Sequence, residues 1–99
     1  MQTYDIAAIK ELCKAVSLIE TEEECAAFFE DICTIRETLD LAKRLQAAKM
    51  LSEGGNYQTI AKEVGISTAT ISRVSRCIQY GSGGYKLVLD RMKEGEAEK

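Results

Sequence analysis

The sequence predicts an all-α protein of about six helices, and three observations support this fold class. The 99 residues include no proline, whose ring would end or kink a helix. Apolar residues recur at intervals of three and four, which places them along one face of a helix. Strong β-formers never alternate with polar residues over a useful length. The chain is 45% hydrophobic and 29% charged, a balance typical of a soluble globular protein.

Three helices are predicted over 4–53. The first is amphipathic, and its apolar face comprises Ile6, Ile9, Leu12, Cys13, Val16 and Ile19. Thr21 precedes Glu24 with the spacing of a capping box, so a second helix is expected to begin there. Thr34 and Glu37 repeat this signature and begin a third helix, which ends at the glycines of 53–56.

A helix-turn-helix is predicted over 57–79. Asn56 and Ser67 are residue types that cap helices, and each precedes one of the two segments. The two helices are expected over 57–64 and 68–79. Gly65 lies between them, where the turn needs a residue that tolerates a positive φ.

The side-chain pattern of this segment favours a DNA-reading element. Ala61 is small at the point where the two helices must cross closely. The apolar residues expected to pack around the turn are Ile60, Val64, Ile66, Ile71 and Val74. The outer face of the second helix carries short, hydrogen-bonding or basic side chains, namely Ser67, Thr68, Ala69, Ser72, Arg73 and Arg76. The alternative is a helical hairpin that only contributes core, but the agreement of these features favours DNA reading.

A final helix is predicted over 85–93, after a glycine-rich break at 81–84. The charged end, 94–99, is expected to be disordered. A chain of 99 residues has the size of one small domain, so we predict a single helical domain over 1–93.

The charge is unevenly distributed along the chain. The formal net charge is −3 and the pI is about 5.0, although a polyanion is not the usual partner of an acidic protein. Residues 54–93, however, carry six basic and two acidic side chains, whereas residues 1–53 carry six basic and eleven acidic ones. Lys62, Arg73 and Arg76 are therefore candidates for contacts with DNA. An uneven split is common in small proteins, so it supports the pattern without establishing it.

No enzymatic, metal-binding or membrane function is predicted. The chain has no histidine, which is the most frequent general base near neutral pH. Its four cysteines form no C-x-x-C pair and are expected to be small buried hydrophobes in a reducing cytoplasm. No apolar stretch is long enough to span a bilayer, and the N-terminus lacks the pattern of a signal peptide. We therefore expect a cytoplasmic protein without a cofactor.

Over Ile32 to Met92 the sequence resembles the Trp repressor family, and most closely its branch of small bacterial proteins called YerC/YecD-like. The resemblance lies in "ICTIRETLDLAKRLQAAKML", "YQTIAKEVGISTATISRVSRC" and "GYKLVLDRM", and is strongest across "GISTATISR". It implies an intertwined homodimer, in which the N-terminal helices of both chains form a shared core and two DNA-reading heads project from it. A compact monomer is the alternative.

The resemblance also implies a possible effector site. In tryptophan-responsive members of the family, the indole ring lies between two arginines, and the matching residues here are Arg44 and Arg73. Thr34 and Thr70 match two further positions of that pocket. Val74, however, stands where those members have glycine, and its branched side chain would occupy part of the space. Tryptophan binding is therefore expected to be weak or absent, while another small effector is left open.

Together these observations predict a homodimeric transcriptional regulator, a repressor that reads the major groove of double-stranded DNA. The residues expected to approach base edges are Ser67, Thr68, Ala69 and Ser72. The alternative is a helical dimerisation or adaptor protein that binds another protein.

Overall fold

The computed structural model of the protein describes residues 5–97, and all the regular structure within them is helical. Six α-helices follow one another: α1 (Ile6–Ser17), α2 (Glu22–Ile32), α3 (Ile35–Ser52), α4 (Tyr57–Ile60), α5 (Thr68–Tyr80) and α6 (Gly84–Ala97). A π-helical turn, Ala61–Gly65, continues directly from α4. The predicted all-α fold is thus confirmed. Residues 98 and 99 of the predicted tail, and the start of the predicted first segment at residue 4, lie outside the described residues.

The two predicted capping boxes both lie at helix starts. Before α3, the Glu37 N–H donates to Thr34 Oγ1 at 3.1 Å, and the Thr34 N–H donates to Glu37 Oε1 at 2.8 Å. Before α2, the Glu24 N–H donates to Thr21 Oγ1 at 3.1 Å, but Glu24 Oε1 accepts from the Glu20 N–H at 3.0 Å instead. The box at α3 is therefore complete, and the return bond of the other is displaced by one residue.

The chain divides into two compact units, the first ending at Thr38 and the second beginning at Leu39. In the first unit, neither α1 nor α2 buries a residue. On the apolar face of α1, Ile6 is 59% exposed and Ile9 is 47% exposed. An amphipathic helix depends mainly on packing of its apolar face, so these two helices lack that stabilisation within one chain. The single domain predicted over 1–93 stays a prediction.

The second unit has a core of two apolar clusters. The first contains Ala47, Ile60 and Ile71, and the second contains Ala48, Val74 and Leu89. Partly buried residues pack around the first cluster (Met50, Leu51, Ala61, Val64, Ile66) and around the second (Leu45, Leu51, Ile78, Tyr85). The apolar positions predicted for the helix-turn-helix therefore lie in or against the core, as expected. The adjacent alanines of α3 serve one cluster each, so this helix contributes to both parts of the core.

The first helix of the helix-turn-helix begins where predicted but changes its winding after Ile60. Asn56 caps it, because Asn56 Oδ1 accepts from the Thr59 N–H at 2.8 Å. Gly65 ends the π-helical turn with a φ of 79°, and no atom lies within 4 Å of the Cβ that another residue would place there. Glycine is therefore required here by the backbone conformation and not by crowding from neighbouring atoms.

The predicted disorder from residue 94 is wrong for the described part of that tail, because α6 continues to Ala97. Glu and Ala have a high intrinsic helix propensity, which favours the extension of α6. The composition of the tail cannot show whether a partner lies beside it on another helix. Lys49 Nζ on α3 lies 3.8 Å from Glu96 Oε1 on α6, which adds a weak attraction between exposed groups. No helix in the described residues combines the length and apolar character needed to cross a membrane.

Candidate nucleic-acid interface

Ser67 fixes the start of α5. Its hydroxyl oxygen accepts from the Thr70 N–H at 3.1 Å and lies 3.0 Å from the Thr70 hydroxyl. This cap satisfies one of the amide donors that a helix N-terminus leaves without an intrahelical partner. Thr68 and Ala69 follow in the first turn with exposed side chains. The first turn of α5 thus presents short side chains on a capped backbone.

α5 buries one face and exposes the rest of its surface. Ile71 is fully buried and Val74 is 3% exposed, and their spacing of three places them on one side of the helix. Among the residues predicted to contact DNA, the exposed ones are Lys62, Ser67, Thr68, Ala69, Arg73 and Arg76. Ser72 is half-buried. A DNA contact requires this exposure, and the contacts themselves stay predictions.

Arg73 and Arg76 carry the positive charge of α5, a helix of 13 residues without an acidic side chain. Within residues 5–97 neither guanidinium takes part in an ion pair, since the two ion pairs found there lie on α3 and α6. Such guanidiniums can bind phosphate oxygens or the edge of guanine with two parallel hydrogen bonds. This face of α5 is therefore chemically suited to a polyanion.

A cavity of about 230 Å³ lies beside α5, within the second unit. Its lining comprises Arg44, Thr70, Arg73, Val74, Cys77 and Tyr85. The structure thus brings together three of the four residues that were predicted to bind an effector. Val74 forms part of the wall and belongs to the second core cluster, so its side chain is held in place by Ala48 and Leu89.

Thr34, the fourth predicted effector residue, does not line this cavity. It lies in the first unit, on a groove of about 880 Å³ formed by α2 and the start of α3. Its hydroxyl is occupied by the capping box with Glu37. The local role of Thr34 as a helix cap therefore accounts for this residue within one chain.

Two residues of the cavity, Cys77 and Tyr85, were not anticipated from the sequence. Cys77 lies one helical turn after Arg73, so its place on the same side of α5 could have been found from the helical period. Tyr85 comes from α6, and no local pattern connects it to α5. Burial raises the pKa of the Tyr85 phenol, the nearby Cys77 thiol raises it further, and the Arg44 guanidinium lowers it.

The prediction of buried cysteines is wrong for Cys13 and Cys77, which are exposed, while Cys25 and Cys33 are half-buried. Cys13 belongs to α1, whose apolar side is open in one chain, and Cys77 lies at the edge of the cavity. Periodicity identifies the apolar face of a helix but cannot show whether a neighbour covers it.

Among the described residues, no group of three or more histidine, cysteine or acidic side chains could hold a metal ion.

The segment from Tyr57 to Tyr80 defines the class of the protein. A capped short helix, a turn at a left-handed glycine and a capped second helix with a polar, basic exposed face are the features of a helix-turn-helix. Proteins of this class place the second helix in the major groove of DNA.

The chain belongs to the Trp repressor family. The family model described as "Trp repressor protein" matches residues 7–93. This family consists of regulatory DNA-binding proteins rather than enzymes. The resemblance seen in the sequence is thus confirmed, and the match also includes the N-terminal helices.

Individual relatives support the same placement. The chain is 49% identical over 90 residues to YerC of Bacillus subtilis (strain 168), an uncharacterized protein; the match covers 91% of this chain and 86% of the relative. A crystal structure described as a candidate Trp repressor from Staphylococcus aureus is 49% identical, with a TM-score of 0.84 over 90% of this chain and 89% of that one. A TrpR-like protein from Eubacterium eligens is 44% identical, with a TM-score of 0.84 over 90% and 92% of the two chains. The YerC-like branch is therefore confirmed.

Proposed function

We propose that the protein is a sequence-specific transcriptional regulator of the cytoplasm, a repressor that inserts α5 into the major groove of double-stranded DNA. The observation that carries this proposal is the division of α5 into a buried apolar side and an exposed side with two guanidiniums outside any ion pair. A surface helix that only contributes core also exposes polar side chains, but α5 exposes basic groups without any acidic one, which favours a polyanionic partner. Occupation of the operator would then exclude other proteins from the same DNA.

The proposed contacts fall into two groups. Residues at the start of α5 meet base edges, because the N-terminal residues of a recognition helix enter the groove first. These residues are Ser67, Thr68, Ala69 and Ser72. Arg73, Arg76 and Lys62 bind phosphates or bases and position the helix on the duplex. Since the hydroxyl of Ser67 is engaged at the cap, we assign base discrimination mainly to Thr68.

We further propose that the functional form is a homodimer. In a single chain, Ile9 is exposed on the open apolar side of α1, and the half-buried Phe29 lines the groove on α2. A contiguous apolar surface of this kind commonly marks an interface with another protein. A second copy of the chain, related by a two-fold axis, offers the same surface in return.

Selection of bound sequences from a random pool of duplexes tests the proposed function. An enriched motif is expected, together with an affinity for random duplex that falls steeply as salt increases, because bound cations displace counterions from the phosphates. If the protein instead acts as a helical adaptor for another protein, no motif is enriched and binding shows no counterion slope. That result would refute the proposal.

A further inference from the structure

Tyr85 connects three helices of the second unit. It lies in the first turn of α6, and its side chain packs against the cluster of Ala48 on α3, Val74 on α5 and Leu89 on α6. The same side chain lines the cavity beside α5. One ring therefore forms part of the core and part of the cavity wall.

The linker between α5 and α6 is rich in glycine, so side-chain contacts such as those of Tyr85 are needed to position α6. Residues 81–83 are Gly-Ser-Gly, and Gly83 has a φ of 83°. Glycine restrains the backbone less than any other residue, so the linker alone holds α6 only loosely against α5. The relative position of the two helices must then be set by side chains, and Tyr85 is the first of these after the linker.

The cavity beside α5 means that no protein atoms pack against the helix there, so α5 is positioned by its remaining protein contacts. The cavity borders Arg73 and Val74, which face it from the middle of α5. The partly buried phenol of Tyr85, whose pKa is raised by burial, is consistent with a ring held within this site.

We infer that Tyr85 is a positioning residue, whose ring packs against the second core cluster and holds α5 in the orientation that binds DNA. This inference rests on the proposed function, because its effect is on DNA affinity.

The first test compares the DNA affinity of the full-length protein with that of Tyr85→Ala and Tyr85→Phe. Tyr85→Ala is expected to weaken binding about tenfold, within the lower part of the range typical of coupling between sites. Tyr85→Phe keeps the ring and is expected to bind like the parent. The matched control is Tyr80→Ala, since Tyr80 ends α5 and is 82% exposed. A tenfold loss in Tyr85→Phe would overturn the inference.

The second test restores the missing ring with phenol, the fragment that Tyr85→Ala removes. An enlarged apolar cavity can bind a small aromatic molecule of matching size. Millimolar phenol is therefore expected to return the affinity of Tyr85→Ala toward that of the parent, and to leave the parent and Tyr80→Ala unchanged. Phenol that binds the folded variant also stabilises it, so affinities are compared under conditions in which urea unfolding shows Tyr85→Ala to be fully folded with and without phenol.

The outcomes separate the inference from the proposed function. A parent protein that binds no duplex overturns both. A parent that binds DNA while Tyr85→Ala binds equally well overturns the inference alone, and so does a loss of affinity that phenol does not restore.

Discussion

At the scale of single residues, the left-handed glycine of the turn is a clear point of vulnerability. Gly65→Ala is expected to lower the free energy of unfolding by about 1–2 kcal/mol, because a Cβ disfavours this backbone region even without a neighbour to touch. Urea unfolding followed by circular dichroism measures this change. Gly84→Ala is the control, since Gly84 has no left-handed φ and equal open space around it. Equal losses in both variants would contradict the backbone explanation.

A second residue-scale prediction separates phosphate contacts from base contacts. Arg76 lies late in α5, where contact with the DNA backbone is expected, so Arg76→Ala should weaken binding to all sequences. The slope of log affinity against log salt should fall by about one. Arg36→Ala removes the same charge from the first unit and should leave the slope unchanged. A slope that Arg76→Ala leaves unaltered would place this arginine outside the interface.

Thr68 is expected to behave differently from Arg76. It lies in the exposed first turn of α5, which enters the groove, so Thr68→Ala should change the preferred base at one position and spare nonspecific affinity. Selection from a random duplex pool with parent and variant measures the change. If both proteins select the same motif, Thr68 does not read a base.

At the scale of elements, the packing of α5 on the core determines which ligand can lie beside it. Val74 walls the cavity and is fixed in the second core cluster, and its β-branched side chain has little rotational freedom in a helix. We expect L-tryptophan to bind weakly or not at all, and DNA binding not to require it. Calorimetry with tryptophan, with and without DNA, tests both statements. Micromolar binding that strengthens operator affinity would reverse this conclusion.

Val74→Gly tests the steric reason for that expectation. The substitution removes the isopropyl group at the cavity wall, and newly created tryptophan binding would show that this group excludes the ring. It also opens the core and should destabilise the protein, so the variant must first be shown to be folded. Val74→Ala retains part of the wall and should give an intermediate result.

The sequence predicted those parts of the fold that depend on local interactions. The start of α3 follows from Thr34 and Glu37, which bond to each other's backbone across three residues. The turn follows from Gly65, and the buried side of α5 follows from the spacing of Ile71 and Val74. Each of these signals depends only on residues within one helix or in the turn next to it.

The parts that were missed depend on contacts between elements. Tyr85 reaches the cavity from α6, and only the packing of α6 on α5 places it there. α6 extends to Ala97, where Glu96 lies near Lys49 of α3. A charged tail has the same composition whether or not a partner lies beside it. The exposure of Cys13 likewise depends on what covers α1, which its own periodicity cannot show.

At the scale of the whole molecule, the open apolar side of α1 predicts self-association. The protein is expected to sediment as a dimer at micromolar concentration, and Ile9→Lys should shift it toward monomer by placing a charge on that surface. Glu11→Lys puts a lysine on the same helix away from the apolar residues and should leave the dimer intact. A monomeric parent would refute the homodimer.

The symmetry of a dimer predicts the symmetry of its operator. Two copies of α5 related by a two-fold axis meet matching half-sites, whose centres should lie one helical turn of DNA apart, about 34–36 Å. The selected motif should therefore be an inverted repeat with this spacing. A single unrepeated half-site among the selected sequences would contradict a symmetric docking mode.

The neighbouring alanines of α3 restrict how the second unit can change. Ala47 faces the cluster of Ile60 and Ile71, while Ala48 faces that of Val74 and Leu89, and both are fully buried. Enlarging a side chain in a well-packed core typically costs about 1–3 kcal/mol, because it forces off-rotamer side chains and backbone shifts. Successive residues lie about 100° apart around a helix, so a larger side chain at either alanine would overpack a different cluster. The exposed residues of α5 can therefore change and give this unit new functions. Ala47 and Ala48 of α3, by contrast, tolerate hardly any increase in side-chain size.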